Sequence, residues 1–140
     1  MRAARAVGLL AFSVAVGAIV YYSVVPFPFD LVPDSGVIEP VGPSRLLHLL
    51  AYGGVTGLLL LALRPTTGVA VAVAVGASVL LGTGMELVQL TVPHRTASAA
   101  DVATNAVASV AVGSVWRLGS RLRGLHSSQG SRMSRTSSPR

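Results

Sequence analysis

Eight residues of this chain have types and intervals that suit shared chemistry: Arg45, His48 and Tyr52 in one stretch, and Glu86, Gln89, Arg95, Asp101 and Asn105 in another. Arg45 to His48 and Glu86 to Gln89 are i, i+3 pairs, while His48 to Tyr52 and Asp101 to Asn105 are i, i+4 pairs, so on helices each pair projects from one side. The guanidinium forks of Arg45 and Arg95 suit a phosphate or carboxylate, which they can hold with two parallel hydrogen bonds. Glu86 or His48 has the chemistry of a general acid or base. No nucleophile, base and orienting group stand in a recognisable order, however, and His94 reads as a solvated loop residue. His48, Glu86, His94 and Asp101 are suitable metal ligands by type. No HExxH or similar spacing holds them together, so neither a metal nor another cofactor is expected.

The elements that must position these groups follow from composition. The chain has 140 residues, 51% of them hydrophobic and 11% charged, and its mean hydropathy is +0.67. A soluble domain has about a quarter of its residues charged, so the expectation is an integral membrane protein. All 11 basic residues are Arg, and they mostly flank apolar runs. That is the arrangement membrane topology requires, and without aromatic-basic interleaving or a helix-turn-helix pattern it does not indicate nucleic-acid binding. The absence of Cys excludes disulfides, thiolate metal sites and Cys nucleophiles.

Four apolar runs are long enough to cross the hydrocarbon core, which takes about 20 residues at 1.5 Å each. They lie near 6–25, 46–63, 68–90 and 97–116. The first is too long for a signal-peptide core and is followed by Pro26-Phe27-Pro28-Phe29, not by a cleavage site of small residues, so it reads as a retained helix. Between the first two runs, Pro26 to Ser44 carries five Pro together with Asp30, Asp34 and Glu39, and reads as an acidic loop outside the bilayer. Arg64-Pro65 stops the second run. Gly53 and Gly57 within it form a GxxxG that would let another helix approach closely. The Val-Ala repeat that opens the third run alternates like a strand, but its length and context predict helix. Gly124 to Arg140 is rich in Ser, Arg and Gly and reads as a disordered basic tail. The fold class is therefore all-α: one four-helix transmembrane domain over 1–123, then a cytoplasmic tail over 124–140.

Orientation follows from the Arg residues close to the spans. With the N-terminus inside, Arg2, Arg5, Arg64, Arg117, Arg121 and Arg123 are cytoplasmic and only Arg45 and Arg95 are outside, which predicts N-in, C-in. Arg45, His48 and Tyr52 then occupy the outer turns of the second span, Glu86 and Gln89 those of the third, and Asp101 and Asn105 those of the fourth. Ionisable groups at that depth are costly unless they pair or meet water, so they should face one another.

The order basic-x-x-His-x-x-x-Tyr, Glu-x-x-Gln, Pro-x-Arg and Asp-x-x-x-Asn, carried here by Arg45, His48, Tyr52, Glu86, Gln89, Pro93, Arg95, Asp101 and Asn105, resembles the VanZ-like family of small bacterial and archaeal membrane proteins. The resemblance covers roughly 43–113. The family pattern starts Asp-Lys where this chain has Ser44-Arg45, and carries a Gly where Ala108 stands. It implies a multi-pass cell-membrane protein of a family with no settled activity. Three roles remain open. The first is binding or organising an anionic lipid headgroup or a lipid-linked envelope intermediate at the outer face. The others are an enzyme acting on a lipid phosphate or glycan carrier, and a purely structural bundle in which Arg45 and Arg95 neutralise Glu86 and Asp101. Transport is disfavoured because four spans are few for a pathway without a homo-oligomer, and the polar groups occupy only one face of the membrane.

Overall fold

In the computed structural model, which describes residues 2–25, 43–93 and 97–136, the apolar runs become helices. They are α1 (Arg2–Val24), α2 (Pro43–Leu63), α3 (Gly68–Gln89) and α4 (Ala99–Thr136). Three of them, α1, α2 and α3, are long and apolar enough to cross a membrane. α4 is not among these, because Asp101, Thr104 and Asn105 at its start and Arg117 and Arg121 further along dilute its apolar stretch. The acidic loop expected over 26–44 lies outside the described residues as far as position 42, and its last two residues, Pro43 and Ser44, open α2. Pro43 fits there because the first turn of a helix asks no hydrogen bond of its nitrogen.

The Val-Ala repeat is helical, as its length predicts, and Thr67 caps it. The Thr67 Oγ1 accepts from the Ala70 N–H at 3.2 Å, one of the donors a helix start leaves unsatisfied. Between α2 and α3, Arg64 adopts a left-handed conformation with φ 48°. Its N–H still donates to the Leu60 carbonyl at 2.7 Å, and Pro65 then prevents α2 from continuing.

Packing places α2 between α1 and α4. Gly8 lies against the Ala62 backbone, so α1 and α2 run antiparallel and close together. A Cβ on Gly53 would stand 3.6 Å from Val112 and one on Gly57 3.8 Å from the same side chain, so the GxxxG face receives α4. α4 runs parallel to α2 and antiparallel to α3. At the α2–α3 hairpin end, Leu60, Val71 and Ala74 form a buried apolar cluster, with Val75, Val112 and Trp116 against it. The Trp116 Nε1–H donates to the Pro65 carbonyl at 3.3 Å and ties α4 to the hairpin. The outward surface is apolar as well: Leu10, Val14, Leu80 and Val115 are each about two-thirds exposed or more. Water would not favour such a surface, whereas acyl chains would.

Residues 124–136, the greater part of the expected basic tail, are helical and continue α4, and positions 137–140 lie outside the described residues. Composition establishes only that this segment cannot bury a core of its own. Extending a helix that is already nucleated needs no such core, because each added residue brings its own hydrogen bond, and no Pro interrupts the chain from the start of α4 until position 139.

Candidate functional site

The other end of the bundle, where α2 begins, α3 ends and α4 begins, is polar. His48 projects from the second turn of α2, and its Nδ1 lies 3.0 Å from the Asn105 Oδ1 on α4. The same nitrogen is 3.9 Å from the Glu86 Oε1 on α3. One α2 turn deeper, the Tyr52 ring stacks on the imidazole, with centroids 6.1 Å apart and planes at 18°. One nitrogen or oxygen atom from each of His48, Glu86 and Asp101 lies within 4.8 Å of the other two. Three helices thus deliver five side chains to one place. Burial is graded. Glu86 and Asn105 are 3% and 1% exposed, whereas His48 and Asp101 are half-buried and form the accessible side of the cluster.

Two features that hold this geometry are not among the sequence expectations. The Ser98 N–H donates to the Glu86 Oε2 at 3.1 Å, and the Ser98 Oγ accepts from the Asp101 N–H at 3.4 Å. Ser98 therefore caps α4 and at the same time fixes the carboxylate that enters the cluster from α3. The signal for it is Ser98-x-x-Asp101 ahead of an apolar run, the spacing of a helix-start box. The second feature is Gly82. A Cβ there would stand 3.1 Å from the Asn105 Cβ, the Asn105 Nδ2 and the Tyr52 Cε1. The missing side chain lets α2 and α4 bring Tyr52 and Asn105 together across α3.

The remaining candidates are placed differently. Arg45 is exposed on the first turns of α2, and among the described residues it makes no ion pair with Asp101 or with Glu86, whose carboxylate instead meets His48 and the Ser98 N–H. Gln89 is half-buried in the last turn of α3, with no side-chain hydrogen bond to the cluster among the described residues. Arg95 and His94 lie outside the described residues.

Chemically, the arrangement is an imidazole oriented by an amide oxygen and a carboxylate, with a second carboxylate at the open side. It can hold a proton, a cation or a polar headgroup. No protein-family model, curated protein or solved structure matches the chain.

Proposed function

We propose that the chain is a four-span envelope membrane protein of VanZ-like type that binds an anionic lipid headgroup, or the phosphate of a lipid-linked intermediate, at the outer face of the cell membrane. The observation that carries this reading is that one end of an otherwise apolar bundle is polar, with the exposed Arg45 at its rim beside the hydrogen-bonded pair His48 and Asn105. A set of polar groups at headgroup depth suits a ligand at the surface, whereas a conduit needs polar groups along its whole length. In the N-in, C-in arrangement favoured by the Arg distribution, α4 is the fourth span and this end faces outward.

Two further features support a lipid. Arg45 lies one turn from His48 with its side chain exposed, so its guanidinium is placed for a phosphate. Along α2, the face that begins with His48 and Tyr52 continues through Val55 and Leu59, which line an apolar crevice with Phe12, Val16 and Leu81. A headgroup at the cluster would have room for an acyl chain there. A second reading, an enzyme acting on a lipid phosphate, draws on the contacts of His48 with Asn105 and Glu86, which would orient the imidazole as a base.

Arg45→Gln tests the lipid reading. A charge-assisted hydrogen bond contributes about 1.5–3 kcal/mol, so anionic lipid should bind the variant roughly 10–100-fold more weakly than the wild type. The measurement is lipid retention in detergent titrations by native mass spectrometry. Thermal stability should change by less than about 0.5 kcal/mol, because the side chain is exposed. Equal lipid retention by both proteins would refute the role of Arg45 and the headgroup site with it.

A further inference from the structure

We propose that His48, Glu86 and Asp101, with the amide oxygen of Asn105, form a binding site for one divalent transition-metal cation of the Zn2+ or Mn2+ class. This goes beyond the lipid reading and does not depend on it.

Charge is the first consideration. Two carboxylates meet one imidazole with their ligand atoms inside 4.8 Å, and Glu86 is almost fully buried. Among the described residues no Arg pairs with either acid. Removing an ionised carboxylate from water costs several kcal/mol unless a positive partner is present. A divalent cation balances two carboxylates while leaving the histidine neutral, which is the form that ligates metals.

The donor types agree with that choice. One imidazole nitrogen with two carboxylate oxygens and an amide oxygen is a borderline-to-hard set, suited to Zn2+ or Mn2+ and unsuited to soft, thiolate-seeking ions. Donors around a four-coordinate ion with bonds of about 2.0–2.1 Å stand roughly 3.3 Å apart. The His48 Nδ1 and Asn105 Oδ1 are 3.0 Å apart, the His48 Nδ1 and Glu86 Oε1 are 3.9 Å apart, and Asp101 completes the set from the half-buried, adjustable side.

Asn105 supplies an independent observation. Its side chain is 1% exposed, its Nδ2 has no hydrogen-bond partner among the described residues, and its oxygen is the atom turned to the imidazole. A buried amide that leaves its donor unsatisfied and turns its acceptor to the imidazole beside the cluster can offer that oxygen to a positive species there. The supporting contacts resemble those that orient ligands in metal centres. Ser98 holds the Glu86 Oε2, leaving Oε1 for the cluster, and Tyr52 stacks on the imidazole to fix its plane.

The test uses the full chain, stripped with a chelator and kept in a phosphate-free non-ionic detergent, so that lipid binding does not enter. Mn2+ is titrated by electron paramagnetic resonance and Zn2+ by calorimetry. The expected result is one ion per chain, with affinity reduced about 10–100-fold or more in Asp101→Asn and in Glu86→Gln. Circular dichroism checks that the variants remain helical. Asp101→Asn carries the comparison if Glu86→Gln fails to fold, because its side chain is half-buried at a helix start. The metal site is refuted if the wild type takes up no ion below millimolar concentration, a result that needs no variant. It is equally refuted if Asp101→Asn binds as tightly as the wild type, since the ion would then sit elsewhere.

Discussion

Gly82→Leu is expected to unseat the polar cluster and to destabilise the bundle by about 3 kcal/mol. Gly82 is where three helices meet. Its position is buried, and a single added carbon would already stand 3.1 Å from the Asn105 Cβ, the Asn105 Nδ2 and the Tyr52 Cε1. Those neighbours cannot yield together, because Tyr52 is stacked on His48 and the Asn105 oxygen is held at 3.0 Å from the same ring. Leucine adds three further heavy atoms, so α4 must move away from α3. Gly82→Ala should be far milder, since alanine favours helix over glycine by about 1 kcal/mol and offsets much of the crowding. Gly54 is the control. A Cβ there meets nothing within 4 Å, so Gly54→Leu should leave stability nearly unchanged. Unfolding in detergent followed by circular dichroism makes the comparison. Equal stability of Gly82→Leu and Gly54→Leu would mean that the three helices do not close on this point.

Glu86→Ala is expected to cost about 2–4 kcal/mol, and Glu86→Gln about 1 kcal/mol or less. The difference isolates what the carboxylate does for the fold. Glutamine keeps the volume and still offers a carbonyl oxygen to the Ser98 N–H, the bond that joins the end of α3 to the start of α4. Alanine removes that acceptor and leaves a gap where a side chain 3% exposed had been. If fold were all that Glu86 served, the glutamine variant would behave as wild type in every respect. If the carboxylate also holds a ligand, the glutamine variant keeps the fold and loses that ligand. Equal destabilisation by the two substitutions would contradict this, because it would make the negative charge itself the stabilising element.

The helices are legible in the sequence because their signals are local. Pro43, Arg64-Pro65 and Thr67 mark starts and stops, and the observed spans Pro43–Leu63 and Gly68–Gln89 depart from the sequence reading by at most three residues at either end. The cluster is legible by a less direct route. His48, Tyr52, Glu86, Asp101 and Asn105 lie in separate short segments of the chain, but alternating helices place them at one end, and side-chain period then turns them toward one another. What sequence spacing does not reveal depends on how faces meet. Arg45 turns outward while His48, three residues later, turns inward. Gly82 is a gap whose meaning exists only once Tyr52 and Asn105 stand on either side of it. His48, Glu86 and Asp101 are metal-ligand types without a local spacing rule, yet their juxtaposition comes from three separate helices, which no such rule describes. The continuation of α4 to Thr136 is hidden by the polar composition of its last turns, because helix propagation does not require an apolar face.

A headgroup site requires the cluster to open on the outer face of the membrane. Because the chain has no Cys, single substitutions Ser35→Cys, Thr66→Cys, Thr96→Cys and Ser127→Cys can each be probed with an impermeant thiol reagent in intact cells. An outward cluster predicts labelling at positions 35 and 96, and at positions 66 and 127 only after the cells are permeabilised. Labelling of 66 or 127 in intact cells, with 35 protected, would contradict it and place the cluster on the cytoplasmic side.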